Sequence, residues 1–405
     1  MGLRQLNDWL SGYIEYTDET EPPLSYNVWV GVSLIAATLE RKVHISWGFE
    51  KIYPNMYIVL IGPSGKCRKG SAMNVGKDII KDVGIQRTSE SITREALIRS
   101  MQRAVMDYVN PDTKNIEFHC ALTAMSPELS VFLGQSDVKF LADLTDWYDS
   151  VDKWTYETKG AGTDEIKGVC FNLLGATAPD WLQSILPEEA IGGGFTSRII
   201  FVVEENKRKT VPEPIITDRI SELRVALKSD LERIKLLAGE FVMTDETKSI
   251  YTAWYQLQDD NIKAGKPPID DVRFAGYCER RATHIRKLCM IFAASRAQDL
   301  LIIADDFRRA LNLLISVEKK MSKVFSGLGS APYAKITEKL ITFFKQRGQV
   351  SRSETIITFH RDLDLTMLEV IEKTLQAMKV IKIRIDLEKN ETYYIWKGKK
   401  NESDD

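Results

Sequence analysis

Ten consecutive residues combine glycines, cationic side chains and hydroxyl groups in an order suited to holding an anion. They are Gly62, Pro63, Ser64, Gly65, Lys66, Cys67, Arg68, Lys69, Gly70 and Ser71. Four apolar residues, 58–61, precede them and a helix-compatible segment follows, which predicts a strand, a glycine-rich loop and a helix. In that order the N–H groups of the loop and the N-terminus of the helix converge on one phosphate group.

The loop is close to the Walker A pattern G-x-x-x-x-G-K-[S/T], with three differences. Lys69 stands one position late, Cys67 and Arg68 occupy positions usually held by small residues, and Gly70 separates Lys69 from Ser71. We expect Gly62 and Gly65 to let the backbone approach the phosphates closely. Lys69 would reach the β- and γ-phosphates of ATP, and Ser71 would bind Mg²⁺. Arg68 is an alternative phosphate-bridging cation. The alternative for the whole loop is a β–α turn that binds nothing.

A second apolar run, 118–125, predicts another buried strand, which ends in Ser126-Pro127-Glu128. An ATPase of this kind needs an acidic residue at the end of a strand beside the loop strand, to polarise water or hold Mg²⁺. Glu128 suits that role. Ser followed by Glu is also a helix-start signature, so helix capping is the alternative.

A third buried strand is predicted over 168–175 and is followed by Ala176-Thr177-Ala178-Pro179. A polar group at the tip of this strand would face the γ-phosphate. Asn172 and Thr177 are the candidates for sensing it. Thr177 is the better placed because it is nearer the strand end.

Two arginines complete the set of candidate residues. Arg198 follows three glycines and precedes a fourth predicted strand, 199–203, so it suits an arginine finger that reaches the γ-phosphate of a neighbouring subunit. A surface salt bridge is the alternative. Arg280, His284 and Lys287 fall on one helical face, which suits an anion such as the nucleotide, or a solvated face.

Composition limits the remaining possibilities. The chain has 405 residues and a formal net charge of −2, so any site for a polyanion is a local patch. Five scattered cysteines without a C-x-x-C pair predict reduced thiols, no structural zinc and a cytoplasmic protein. The longest apolar run, 28–39, is too short to span a bilayer, so we expect no membrane partner.

The chain divides into four predicted parts. Residues 1–45 form a helical N-terminal segment, 46–210 the α/β core, 211–325 a mostly helical lid, and 331–400 a compact C-terminal unit. A linker is predicted at 325–332. The unit reads as three helices and a β-hairpin, which is the winged-helix order. It carries 14 Lys and Arg against 9 Asp and Glu, a modest nucleic-acid signal, although winged helices also bind proteins.

Taken together, these motifs resemble a family of phage and mobile-element P-loop ATPases described as replicative-helicase-like proteins. The resemblance rests on K-I-Y-P-N-M-Y before the loop, G-P-S-G with R-K-G-S-A, S-P-E-L, G-A-T-A-P and G-G-F-T-S-R, in that order, and covers about residues 20–300. The layout is also similar to that of the MCM-type AAA+ helicases. It implies an α/β, AAA+-like P-loop core.

The resemblance implies residue roles and an activity. Lys69 and Ser71 would lie at the phosphates and Mg²⁺, Glu128 would activate water, Thr177 or Asn172 would act as sensor, Arg198 as finger in trans, and Arg280 as a second sensor. The implied activity is an ATP-dependent DNA helicase or translocase.

The same resemblance implies the setting of that activity. The protein would form a ring, as a hexamer, on single-stranded or forked DNA in the cytoplasm of a bacterial host, with a primase or polymerase as a further partner. Two alternatives stay open: an ATPase that loads or regulates another helicase, and a non-hydrolysing DNA-binding scaffold.

Overall fold

The computed structural model describes residues 4–111, 113–134, 138–158, 162–186, 192–325, 333–386 and 390–397. The chain separates into two compact units, one ending at Phe325 and one comprising residues 326–405. Most of the predicted linker and the C-terminal tail lie outside the described residues.

The first unit contains eleven helices among its described residues. Their bounds are α1 Trp9–Tyr16, α2 Leu24–Leu39, α3 Lys69–Lys81, α4 Arg94–Arg103, α5 Leu129–Leu133, α6 Val138–Tyr148, α7 Pro179–Ile185, α8 Asp218–Ile234, α9 Asp245–Lys263, α10 Ala275–Arg296 and α11 Ala304–Met321. Short 3₁₀ turns occupy Thr196–Arg198, Val272–Phe274 and Ser322–Phe325.

The described strands of this unit form one large sheet and several small ones. Their bounds are β1 Val43–Trp47, β2 Glu50–Ile52, β3 Tyr57–Ile61, β4 Val105–Val109, β5 Ile116–Ser126, β6 Lys153–Thr158, β7 Gly162–Lys167, β8 Val169–Thr177, β9 Ile199–Val203, β10 Gly239–Glu240, β11 Val242–Met243 and β12 Leu301–Ile302.

The large sheet fixes the position of the loop. Its strand order is β4-β5-β8-β3-β9. Strands β5, β8, β3 and β9 are parallel, and only the edge strand β4 runs antiparallel to its neighbour. All residues of β3, β8 and β9 are buried, as expected for parallel strands covered on both faces. The carboxyl ends of β3, β5, β8 and β9 therefore share one edge.

The small sheets attach the remaining segments. β1 pairs with β2 as an antiparallel hairpin and with β10 in parallel, while β11 pairs with β12. β6 and β7 form a second hairpin. The N-terminal helix α1 packs on α2 and α8, and α2 packs on α3 and β8. The predicted N-terminal segment, core and lid thus belong to one compact unit.

Two segments differ from what their local sequence pattern predicts. Residues 93–108 have the apolar spacing of a single helix, but α4 ends at Arg103 and residues 105–109 form the edge strand β4. Ser25 is a residue type that caps helices, but α2 begins at Leu24 after Pro23, and the Ser25 hydroxyl donates instead to the carboxylate of Glu204.

The second unit has its own core. Its elements are α12 Ala334–Arg347, β13 Gln349–Ser351, α13 Arg352–Phe359, α14 Leu365–Ala377, β14 Ile381–Asp386 and β15 Glu391–Trp396. The sheet order β13-β15-β14 is antiparallel throughout. Leu340, Leu368, Ile371 and Tyr394 are among its buried residues. Asp364 caps α14 by accepting from the Met367 N–H.

Candidate functional site

The glycine-rich loop leaves the sheet between the ends of two neighbouring strands. The N–H of Gly62 donates to the carbonyl of Thr177 at the end of β8, at 3.3 Å. The N–H of Glu204, which follows β9, donates to the carbonyl of Ile61 at 2.9 Å. The loop thus begins at the carboxyl edge, where open parallel sheets bind their ligands.

Close packing at the start of the loop requires glycine at position 62. A Cβ there would lie 2.6 Å from the Glu204 carbonyl oxygen and 2.7 Å from the Tyr26 hydroxyl oxygen. The same hydroxyl donates to the carbonyl of Ile61 at 2.6 Å. The buried Cys67 thiol donates to the Glu204 carbonyl at 3.3 Å. Gly62 and Cys67 therefore anchor the two ends of the turn to β9 and α2.

The middle of the loop is open. Ser64, Gly65 and Lys66 are exposed, and Pro63 is half-buried. Gly65 has φ = +72°, a backbone conformation that glycine adopts without steric cost, and no atom lies within 4 Å of the place its Cβ would take. The loop therefore leaves free space at Gly65.

Arg68 is turned away from the loop. It has φ = 54° and ψ = 36°, a left-handed conformation immediately before α3. Its Nε donates to Glu21 Oε2 at 2.7 Å. Hydrogen bonds from Lys207, Arg68 and the Val211 N–H hold the pKa of Glu21 down at about 2, so this carboxylate stays charged at neutral pH. Arg68 is therefore held at the N-terminal segment.

Lys69, in contrast, folds back over the loop. It is the first residue of α3, and its ammonium group donates to the carbonyl of Gly62 and, at 3.3 Å, to that of Pro63. Burial lowers the pKa of Lys69, while the negative charge of Glu128 acts in the opposite direction. Gly70 and the exposed Ser71 follow in the first turn of α3.

Glu128 and Thr177 lie at the same edge as the loop. Ser126, the last residue of β5, pairs with Gly175 of β8, and Thr177 pairs with Ile61 of β3. The Ser126 hydroxyl donates to the backbone carbonyl of Glu128 at 2.8 Å. Glu128 itself is exposed and immediately precedes α5. Thr177 is buried, and its hydroxyl contacts the Ala178 carbonyl at 3.3 Å.

Asn172 is not brought to this edge. It is buried in the middle of β8, and its Oδ1 accepts from the N–H of Met56, which precedes β3. Five residues separate it from Thr177, which is about 16 Å along a strand. The structure places Asn172 at the opposite end of β3, where it aligns β8 with that strand.

Arg198 also lies at the opposite edge. It is 6% exposed and immediately precedes β9, whose first residue pairs with Tyr57. Its guanidinium donates to Gly194 O at 2.7 Å and forms an ion pair with Asp149. Its Nε is buried and has no hydrogen-bond partner among the described residues.

Arg280 joins Arg198 at this edge. Its Nη1 lies 3.5 Å from the second oxygen of Asp149. The other two residues of its helical face are buried, which contradicts a solvated face. His284 contacts the Tyr148 hydroxyl at 3.0 Å and the Ser197 carbonyl at 3.1 Å. The Lys287 ammonium donates to Asn55 Oδ1 at 2.6 Å.

The structure adds a cation that sequence reasoning missed. Lys320, near the end of α11, forms an ion pair with Glu204 at 2.7 Å. The same carboxylate accepts from the hydroxyl of Ser25 at 2.8 Å. Glu204, whose backbone contacts Ile61 and Cys67, therefore connects Lys320 to the loop. Nothing in the local sequence indicates this, because the two partners are 116 residues apart.

The described residues contain no group of three or more His, Cys, Asp or Glu side chains arranged to hold a metal ion. Within the same described ranges, no helix has the length and apolar character needed to cross a membrane.

Comparison with known proteins does not add a family to these observations. No protein-family model and no curated protein matches the chain.

Proposed function

We propose that this chain is an AAA+-like P-loop ATPase that acts on DNA as a helicase or translocase, in a homo-oligomeric ring that we expect to be a hexamer. The observation that carries the proposal is the placement of Lys69 and Glu128 at the same carboxyl edge of the sheet, after β3 and β5 respectively. The glycine-rich loop lies open at that edge. A cation for phosphates and a carboxylate for water at one site are the two requirements of nucleotide hydrolysis.

Each residue at this edge has a defined task in the proposed reaction. Lys69 exchanges its two loop carbonyls for phosphate oxygens, which relieves the burial of its charge. The N–H groups around Gly65 bind the phosphates. Glu128 orients the attacking water and takes its proton. Thr177 lies at the end of β8, the strand between β3 and β5, and hydrogen-bonds the γ-phosphate.

Magnesium, when bound, neutralises charge on the transferred phosphate and orients its oxygens. The Ser71 hydroxyl, exposed in the first turn of α3, is the protein ligand proposed for it. No residue partner of that hydroxyl has to be displaced to bind the ion, since none appears among the described residues.

The proposed arginine finger acts on a second copy. Arg198 precedes β9 by one residue, and the far end of β9 pairs with the end of β3, so Arg198 is about 16 Å from its own loop along the strands. An arginine side chain cannot bridge that distance. Arg198 therefore cannot reach the nucleotide of its own loop, and the finger role requires a nucleotide held by the neighbouring subunit, as in a head-to-tail ring.

The second unit is proposed to be a winged helix that binds DNA. Its helix, strand, helix, helix and hairpin follow the order of that motif. Lys382 and Arg384 are exposed at alternate positions of β14, so both project from one face of the hairpin. We assign to them the contacts with backbone phosphates.

ATP turnover of the full chain with single-stranded DNA tests the proposal. Glu128→Gln is expected to bind nucleotide with unchanged affinity and to lose turnover by 100-fold or more, about 3 kcal/mol in the barrier. Glu95→Gln, an exposed glutamate of α4, is the matched control. Normal turnover in Glu128→Gln would contradict the site.

A fork-unwinding assay with the protein alone then separates two functions. Unwinding supports the helicase. DNA-stimulated turnover without unwinding indicates an ATPase that loads or regulates another helicase, and no turnover in the wild type indicates a DNA-binding scaffold.

A further inference from the structure

A second open cavity lies at the end of the sheet opposite to the loop. It encloses about 560 Å³, within the range of small-ligand sites. The β1–β2 hairpin, the segment after α6 and one face of α10 surround it. Its charged and aromatic lining includes Phe49, Lys51, Tyr53, Asp149, Arg280 and Lys287. None of these residues is used by the catalytic edge within one copy of the chain.

Phe49 is the most unusual residue of this cavity. It lies at the tip of the hairpin beside Gly48, which has φ = +62°, and its side chain is fully exposed. A phenylalanine ring left in water forgoes about 1.5–3 kcal/mol of burial. Phe49 lies in the turn of the hairpin, and its ring is therefore exposed to solvent.

Contacts of Trp47, two residues before Phe49, hold the hairpin in place. The Arg286 guanidinium lies 4.0 Å from the ring centre of Trp47, and the same ring meets Tyr251 edge-on at 5.2 Å. These contacts attach the strand before the tip to α10 and α9. The strand that leads to the tip is therefore fixed, and the exposed Phe49 ring lines the mouth of the cavity.

The cavity walls carry a surplus of cations. Four lining residues are basic and three are acidic: Arg41, Lys51, Arg280 and Lys287 against Glu50, Asp149 and Asp152. Two of the carboxylates are already neutralised, since Asp152 pairs with Arg41 and Asp149 with the buried Arg198. Lys51 has no carboxylate within salt-bridge distance among the described residues, and Arg280 has only its 3.5 Å contact.

Lys287 carries less charge than the other cations of the cavity. Burial is the main cause that lowers its pKa to about 7; the positive charges of Arg198 and Arg280 act in the same direction, and the negative charge of Asp149 opposes them. A negatively charged group entering the cavity would therefore be attracted chiefly by Lys51 and Arg280.

We infer that this cavity binds a nucleotide unit, with its base stacked on Phe49 and its phosphate held by Lys51 and Arg280. An aromatic ring beside a basic groove is the arrangement by which proteins bind nucleotides without reading their sequence. The unit has two sources: a single strand of nucleic acid, or a mononucleotide. The inference goes beyond the proposed function, because it does not depend on hydrolysis at the loop.

Binding to the full-length protein tests it, with two probes. The first is a fluorescent oligothymidylate. The second is a fluorescent ADP analogue, used in a Lys69→Ala background, in which binding at the loop is weakened. Phe49→Ala should weaken binding about 5-fold to 100-fold, and Phe49→Tyr should retain it, since stacking on a base contributes that much. Phe118→Ala, which removes an exposed phenylalanine outside the cavity, is the control.

The outcomes are distinct. Loss of oligonucleotide binding assigns the cavity to a strand, and loss of only the ADP analogue assigns it to a mononucleotide. Unchanged binding of both probes, in a Phe49→Ala protein with wild-type thermal unfolding, overturns the inference. ATP turnover measured on the Phe49 variants tests the loop site independently. A failure of the proposed ATPase can therefore be distinguished from a failure of the proposed cavity site.

Discussion

The ammonium group of Lys69 is bonded to the carbonyl of Gly62, seven residues before it, while Arg68 beside it is bonded to Glu21 outside the loop. The two neighbouring cations thus point in opposite directions. Of these two cations, Lys69 is the one whose ammonium group contacts the loop backbone, so it is the better placed to meet a phosphate bound there.

The first prediction separates these two cations. Lys69→Ala should weaken ATP binding about 10-fold to 100-fold, as expected for the loss of a charge-assisted hydrogen bond to phosphate. Arg68→Ala should weaken it less than about 3-fold, because the Arg68 guanidinium is paired with Glu21 and does not contact the loop. Equilibrium binding of a fluorescent ATP analogue measures both. Lys81→Ala, exposed at the far end of α3, is the control. The reverse ranking would assign the phosphate role to Arg68.

The second prediction concerns subunits acting together. Arg198→Ala should bind nucleotide but lose turnover, and Glu128→Gln should do the same. If each active site combines Glu128 of one copy with Arg198 of the next, an equimolar mixture of the two inactive variants should recover a measurable fraction of wild-type turnover.

Its control addresses folding, because Arg198 is buried and paired with Asp149. Arg198→Lys retains the charge, and its thermal unfolding shows how much of any loss is structural. A mixture that stays inactive, from variants that are both folded and oligomeric, would exclude a finger acting in trans.

Local sequence patterns were sufficient for the elements that build the loop edge. Apolar runs bounded by glycine or proline predicted strands that the structure places at β3, β5, β8 and β9. They were not sufficient for β4. No residue of β4 is fully buried, so the strand has no clear apolar face in the sequence. Its residues also continue the apolar spacing of α4, which predicts a longer helix. The strand is stabilised by its pairing with β5, which local sequence does not reveal.

The polar contacts of the site were beyond prediction for a different reason. Glu21 meets Arg68 across 47 positions, and Glu204 meets Lys320 across 116. Spacing along one element carries no information about such pairs. The same holds for α10, where packing on all sides buries His284, which a helical-face argument left open to solvent.

The third prediction is a pH dependence that arises from His284. Burial lowers the pKa of this imidazole from 6.5 to about 3, so in the folded protein it is neutral. It then accepts from the Tyr148 hydroxyl at Nδ1 and donates from Nε2 to the Ser197 carbonyl. Between those two pKa values the unfolded chain binds a proton that the folded protein does not. The free energy of unfolding must therefore decrease as the pH falls.

Denaturant unfolding between about pH 7 and pH 5 measures this effect, whose slope cannot exceed about 1.4 kcal/mol per pH unit for one group. His284→Gln should flatten the slope. His360→Gln should leave it unchanged, because His360 is exposed at the end of α13. Equal slopes in wild type and His284→Gln would show that His284 is already protonated in the folded state.

The fourth prediction concerns the glycines of the loop. Gly62→Ala should destabilise the protein by about 1–3 kcal/mol, because its Cβ would overlap the Glu204 carbonyl and the Tyr26 hydroxyl. Gly70→Ala meets no atom within 4 Å and lies in the first turn of α3, so it should be neutral or stabilise by up to about 1 kcal/mol. Thermal and denaturant unfolding compare the two. Equal effects would mean that the loop relaxes around position 62.

The fifth prediction tests the second unit with salt. Each phosphate contact of a protein on duplex DNA contributes about 0.9 to the slope of log K against log salt concentration. Replacing both Lys382 and Arg384 by alanine should lower that slope by about 2 and weaken binding of all sequences alike. Lys339→Ala is the matched control, since Lys339 is exposed but paired with Asp362 at 2.7 Å. A slope that the double variant leaves unchanged would remove β14 from the DNA interface. The exposed apolar residues of α13 and α14, Ile357, Leu365 and Val370, would then favour a protein partner for this unit.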